Sequence, residues 1–235
     1  MKSMKICIMF FLLVLNVSVS ALTVYVDPGS WSGLRSTDTT GIVAAGSWSG
    51  VNNPGFQIKW DIGINFYGGY DYVYTISGEG GADLGKSLSH WILEVTNPAL
   101  MSDFTNINRN VEYGPDTHLP TSGNFNMPGS IYGFKDETTL LEEEMGDTLN
   151  YVFSFNTYRA PVWGDFYAKD GKTGGVWNTA YNSGFGQDPT IETTDFSDWI
   201  ARPNGHTNEV PEASSIILLA LGILGFIRMN PRKLG

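Results

Sequence analysis

The chain has 235 residues and is 42% apolar, enough to bury a sizeable core and too apolar for wholesale disorder. Charged residues make up only 16%, while 28 Gly, 13 Phe, 11 Tyr and 7 Trp favour strands and turns over helices. Residues 22–209 carry nine Lys and Arg against 23 Asp and Glu, a net charge of −14 that repels nucleic acid and anionic lipid, so no nucleic-acid partner is expected.

The N-terminus has the form of a secretory signal. Lys2 and Lys5 precede an unbroken apolar run at 6–15 (ICIMFFLLVL), and the small residues Ser18, Ser20 and Ala21 follow. The run is about half of the ~20 residues a spanning helix needs, so residues 1–21 are assigned as a signal peptide that engages the Sec translocon. The single cysteine, Cys7, lies inside this run, away from any lipid-attachment position. The mature chain is therefore expected to lack disulfides, Cys–metal sites and a Cys nucleophile.

From residue 22 onward short strands follow one another. Residues 22–26 (LTVYV) open the series, and 41–48 form a weaker second candidate. At 56–66 (FQIKWDIGINF) the apolar residues Phe56, Ile58, Trp60, Ile62, Ile64 and Phe66 alternate without a miss, the mark of a half-buried strand. Gly68-Gly69 turns the chain into 70–76 (YDYVYTI), which should pair with it as an antiparallel hairpin.

Residues 88–95 form the next strand, stopped by Asn97-Pro98. Between 97 and 129 the pattern is irregular, with short candidates at 104–107 and 111–113 separated by Gly-Pro and Leu-Pro breaks. Strand character returns at 131–134, and 138–145 (TTLLEEEM) reads as an acidic loop or one to two helical turns. Strong strands at 149–156 and 162–168, a tight turn at 169–175 and a strand at 176–181 close the body. The fold class expected is all-β, a two-sheet antiparallel sandwich or jelly roll spanning 22–200, with 201–209 as a linker.

Residues 210–235 (VPEASSIILLALGILGFIRMNPRKLG) join a Pro-Glu motif, an apolar run and a basic tail. Val210, Pro211, Glu212, Ala213 and Ser214, the run to Ile227, and Arg228, Arg232 and Lys233 resemble the sorting signal of PEP-CTERM proteins. Ala213 stands where that family usually has proline. The resemblance covers the motif at 210–215, a transmembrane segment at 213–227 and a tail at 228–235. It implies an exosortase-type membrane processing enzyme as partner and a cell-surface destination among bacteria that make exopolysaccharide.

The physics is consistent with a transient anchor. Fifteen residues make a helix of roughly 22 Å at ~1.5 Å per residue, short of a ~30 Å hydrocarbon core. The basic flank should stay cytoplasmic, leaving the body outside. Residues 159–171 (RAPVWGDFYAKDG) and 89–94 also resemble segments in other PEP-CTERM ectodomains, with no function implied.

Little in the body points to chemistry. His90, His118 and His206 are isolated, and His90 lies about 13 Å from Glu94 along one strand face. Glu94, Asp165 and the Glu run at 142–144 are the carboxylates a glycosidase pair could draw on. Asp136, Asp147, Asp165, Asp170 and Asp188 are conceivable calcium ligands without an EF-hand pattern. Trp31, Trp48, Trp60, Trp91, Trp163, Trp177 and Trp199 could supply a sugar-stacking patch, as could Tyr70, Tyr72 and Tyr74, with core packing as the alternative. The expectation is a non-enzymatic, exported envelope or matrix protein associated with exopolysaccharide, with no catalytic residue, cofactor or metal. The alternatives are a carbohydrate-binding module and a polysaccharide-active hydrolase.

Overall fold

The computed structural model describes residues 23–39, 41–50, 54–108, 113–137 and 150–204, which are all-β with no α-helix among them. The signal peptide, the 138–145 segment, His206 and the whole of 210–235 lie outside the described residues.

Every ladder between the described strands is antiparallel, with one isolated parallel bridge from Ser36 to Gly41. One sheet runs in the order β1 (Ser32–Ser36), β3 (Gln57–Ile64), β4 (Tyr70–Ser77), β9 (Tyr151–Thr157) and β6 (Phe104–Thr105). A second begins with β2 (Ile42–Ala45), β12 (Val176–Asn182) and β11 (Phe166–Thr173). It continues through β5 (His90–Glu94), β8 (Ile131–Glu137) and β7 (Tyr113–His118). The short strands β10 (Pro161–Gly164) and β13 (Ile200–Pro203) pair with each other.

The two large sheets share one aromatic core. Tyr74 of β4 meets Trp91 of β5 at 5.6 Å between ring centroids, and Phe155 of β9 meets Phe134 of β8 at 5.8 Å. Phe56, Ile58 and Trp60 are buried as their alternation requires, and Tyr72 and Tyr74 lie fully inside. The tyrosine hydroxyls are satisfied there: Tyr72 donates to the Arg159 carbonyl and Tyr74 to the Ala201 carbonyl, both at 2.9 Å. The tyrosine face at 70–76 is thus core, not a platform. A smaller cluster of Ile92, Met127, Ile131 and Tyr167 covers the opposite face of the second sheet.

Several expectations are corrected. Residues 22–26 form no strand in their described part; Tyr25 makes a single bridge to Val162. The expected strand at 162–168 is two strands, β10 and β11, because the Asp165 amide leaves the ladder to donate to Glu94 Oε2 at 2.7 Å. Most of the expected turn at 169–175 continues β11. The reversal is confined to Gly174-Gly175, with φ of +60° and +87°, which only glycine adopts easily. Gly114-Pro115 does not break the chain but lies inside β7, an edge strand with a register shift, where a missing N–H is tolerated. The segment from 201, expected as linker, starts as β13: Arg202 is 5% exposed and Asn204 2%.

Arg202 fixes that last strand. Its Nη2 donates to Glu94 Oε1 at 3.0 Å and its Nη1 to the Thr96 hydroxyl. A Cβ on Gly164 would lie 2.1 Å from Arg202 Nε, so this crossing needs glycine.

Candidate functional site

The β3–β4 hairpin projects beyond the core. Its alternation holds through Ile62 and then fails, with Ile64 65% and Phe66 96% exposed, because no second sheet of the described residues faces the strand end there. Asn65 builds the turn: its Oδ1 accepts from the Tyr67 amide at 3.0 Å and the Gly69 amide at 2.9 Å. Gly68, at φ +79°, lets the chain reverse. Phe66 and Tyr67 are left outward as an edge-to-face pair, 5.5 Å between centroids.

Beside this tip lies a cleft of about 490 Å³, within the ~300–1,000 Å³ usual for small-molecule sites. Its floor is a row across the first sheet. Gly63 is opposite Asp71, Asp71 opposite Asn156, and Asn156 opposite Thr105. These residues alternate with core-facing Ile62, Tyr72, Phe155 and Phe104, so they share the outer face. Gly63, at the end of the row just outside the cleft lining, has nothing within 4 Å of where a Cβ would be. Tyr158, 63% exposed, and Ser102 complete the walls.

The polar groups are already oriented. Asp71 Oδ1 accepts from Asn65 Nδ2 at 3.1 Å and from Asn156 Nδ2, while Asn156 Oδ1 accepts from Asn106 Nδ2 at 2.7 Å. This chain of amides fixes which atom of each side chain points which way. Asp103, also in the wall, is committed elsewhere: its Oδ2 accepts from the Leu100 amide and pairs with Arg159. Burial would push its carboxyl up, but these two donors outweigh it and hold it below the ordinary range.

The tryptophans do not form a sugar-facing patch. Trp48, Trp60, Trp91 and Trp163 are buried. Trp31 packs on Tyr70, and Trp177 stacks on Phe125 at 4.8 Å. Trp199, half-buried, donates its indole N–H to the Gln187 carbonyl. The most exposed rings among the described residues are instead Phe66, Tyr67 and Tyr158, which sequence reasoning missed. Two adjacent aromatics inside a Gly-rich hairpin turn, with no strand face to bury them, were the available signal.

Glu94 and Asp165 are brought together. Both are wrapped by donors: Arg202 on Glu94, Asn182 Nδ2 on Asp165 Oδ1 at 2.7 Å and the Gly186 amide on Oδ2 at 2.6 Å. Burial, then the Glu94 charge, pushes Asp165 up to about 7. Burial likewise raises Glu94. Their partners make them a joint that ties β5, β12 and β13 to the break between β10 and β11.

The remaining candidates are dispersed. His90 shares a hydrogen bond with Asn124 Oδ1 at 3.0 Å, and burial followed by Lys135 and Lys169 lowers it to about 4. His118 bonds the Gly133 carbonyl. Asp136 accepts from the Tyr151 hydroxyl and Asp170 from Ser87, while Asp188 is exposed. No group of three or more acidic, His or Cys side chains able to hold a metal occurs among the described residues; Asp147 and 142–144 lie outside them. Comparison with known proteins found no matching family model, no matching curated protein and no matching solved structure.

Proposed function

We propose that the chain is an exported cell-envelope protein whose β-sandwich, jelly-roll-like domain binds glycan in the cleft beside the β3–β4 hairpin, without acting on it chemically. One observation carries the reading: three outward aromatic rings, Phe66, Tyr67 and Tyr158, border a single preformed row of carboxamides and a carboxylate. A sugar ring has an apolar C–H face and a rim of hydroxyls, so it needs both an aromatic surface and donor–acceptor pairs held in place. Asn65, Asn106 and Asn156 offer both donors and acceptors, and Asp71 offers acceptors alone.

The address is supported by the two chain ends. The leader at 1–21 and the PEP-CTERM-like tail at 210–235 suit export, transient single-pass anchoring in the inner membrane and processing by an exosortase-type enzyme. The protein then reaches the cell surface, where exopolysaccharide is the ligand at hand. Glycan-array binding tests the site. Tyr67→Ala and Tyr158→Ala should each weaken binding about tenfold, the equivalent of ~1.4 kcal/mol. Undiminished binding by the double variant would refute the assignment of the cleft.

A further inference from the structure

Resting on the glycan reading of the cleft, we infer that its ligand is a neutral, hydroxyl-rich glycan, and that polyuronates and other anionic polysaccharides are excluded. Among the described residues the lining contains two carboxylates, Asp71 and Asp103, and no Lys, Arg or His. Asp103 is paired with Arg159, but Asp71, on the floor, accepts from the Asn65 and Asn156 amides and has no cation against it among the described residues.

An acidic sugar lying on this floor would set its carboxylate against Asp71, with no cation among the described lining residues to offset it. The surroundings reinforce this. Residues 22–209 carry a net −14, so a polyanion is repelled before it arrives. A neutral sugar meets the opposite situation. Asp71 can accept from two adjacent hydroxyls, and a carboxylate acceptor makes a stronger hydrogen bond than a carbonyl. The flanking carboxamides donate to the ring oxygens that remain.

A polycation is the competing occupant, since Asp71 would attract it. The arrangement favours the neutral ligand because, among the described lining residues, one carboxylate without a counter-ion lies among neutral amides and aromatic rings, whereas binding a polycation draws on repeated charges. Salt separates the two: hydroxyl and stacking contacts persist when a Debye length shrinks, whereas ion pairs at an open surface fade.

The test is affinity electrophoresis of the purified full chain through gels containing dextran, mannan, polygalacturonate or chitosan, each at low and high salt. The expected result is retardation by at least one neutral polymer, unchanged by salt, and none by polygalacturonate. Asp71→Asn should weaken neutral binding about tenfold and reduce the discrimination against polygalacturonate. Tight binding to polygalacturonate, or binding to chitosan alone that high salt abolishes, would overturn the neutral-ligand inference while leaving a glycan site intact. Binding to none of the four, and to no glycan on an array, would overturn the glycan reading itself and this inference with it.

Discussion

Asp165 and His90 should oppose each other in the pH dependence of stability. Asp165 is raised from 3.8 to about 7, so the folded chain holds its proton more tightly than the unfolded one. Its contribution is complete below 3.8 and is lost as pH rises through about 7. His90 is lowered from 6.5 to about 4, so its contribution is present above 6.5 and is lost as pH falls through about 4. At about 1.4 kcal/mol per pK unit, the full swings are on the order of 4 kcal/mol for Asp165 and 3 kcal/mol for His90, in opposite directions.

Asp165→Asn removes one of the two. The amide cannot ionise and keeps one acceptor, but it leaves either the Asn182 or the Gly186 donor unpaired, at a cost of about 1–2 kcal/mol. Urea unfolding across a pH series reads the outcome. The variant should be less stable than the parent near pH 4, and the gap should close and then reverse towards about pH 8 as the parent loses the Asp165 contribution. Two parallel curves over that window would refute the account of the Glu94–Asp165 joint.

Other expectations follow from packing and processing. Gly133→Ala should destabilise by about 3 kcal/mol, since its Cβ would lie 2.0 Å from the Leu93 carbonyl oxygen, and thermal denaturation checks it. Arg202→Met should cost about 3–5 kcal/mol by stranding the Glu94 carboxylate, whereas Glu94→Gln together with Arg202→Met should recover much of the loss. In cells with a working exosortase, intact mass of the protein from envelope and medium should place the mature C-terminus near residues 211–215. A chain still ending at Gly235 would defeat the sorting proposal.

The strands were legible wherever a local period decided them. In β3 and β4 the alternation named the buried residues through Ile62 and Tyr72, because each pleat has only two sides. The same pattern misled at Ile64 and Phe66, since periodicity tells which face a residue is on but not where the opposing sheet stops. Asp165 was hidden for another reason. Its break in the chain depends on Glu94, far away in sequence, taking its amide.

Arg202-Pro203-Asn204 has the composition of a linker, yet a charge partner on β5 recruits it into the body. The cleft shows the same limit. Asp71, Asn156 and Thr105 belong to three strands and meet only through the sheet register. Rings placed in a turn, Phe66 and Tyr67, were its one local trace.

The most direct test of a glycan site in this cleft is an amide NMR titration of the folded protein with the neutral polymer fragment that binds best. Shifts should concentrate at residues 65–71, 102–106 and 156–158, with the Phe125–Trp177 face unmoved. Shifts centred on Trp177 or spread without focus would contradict the assignment.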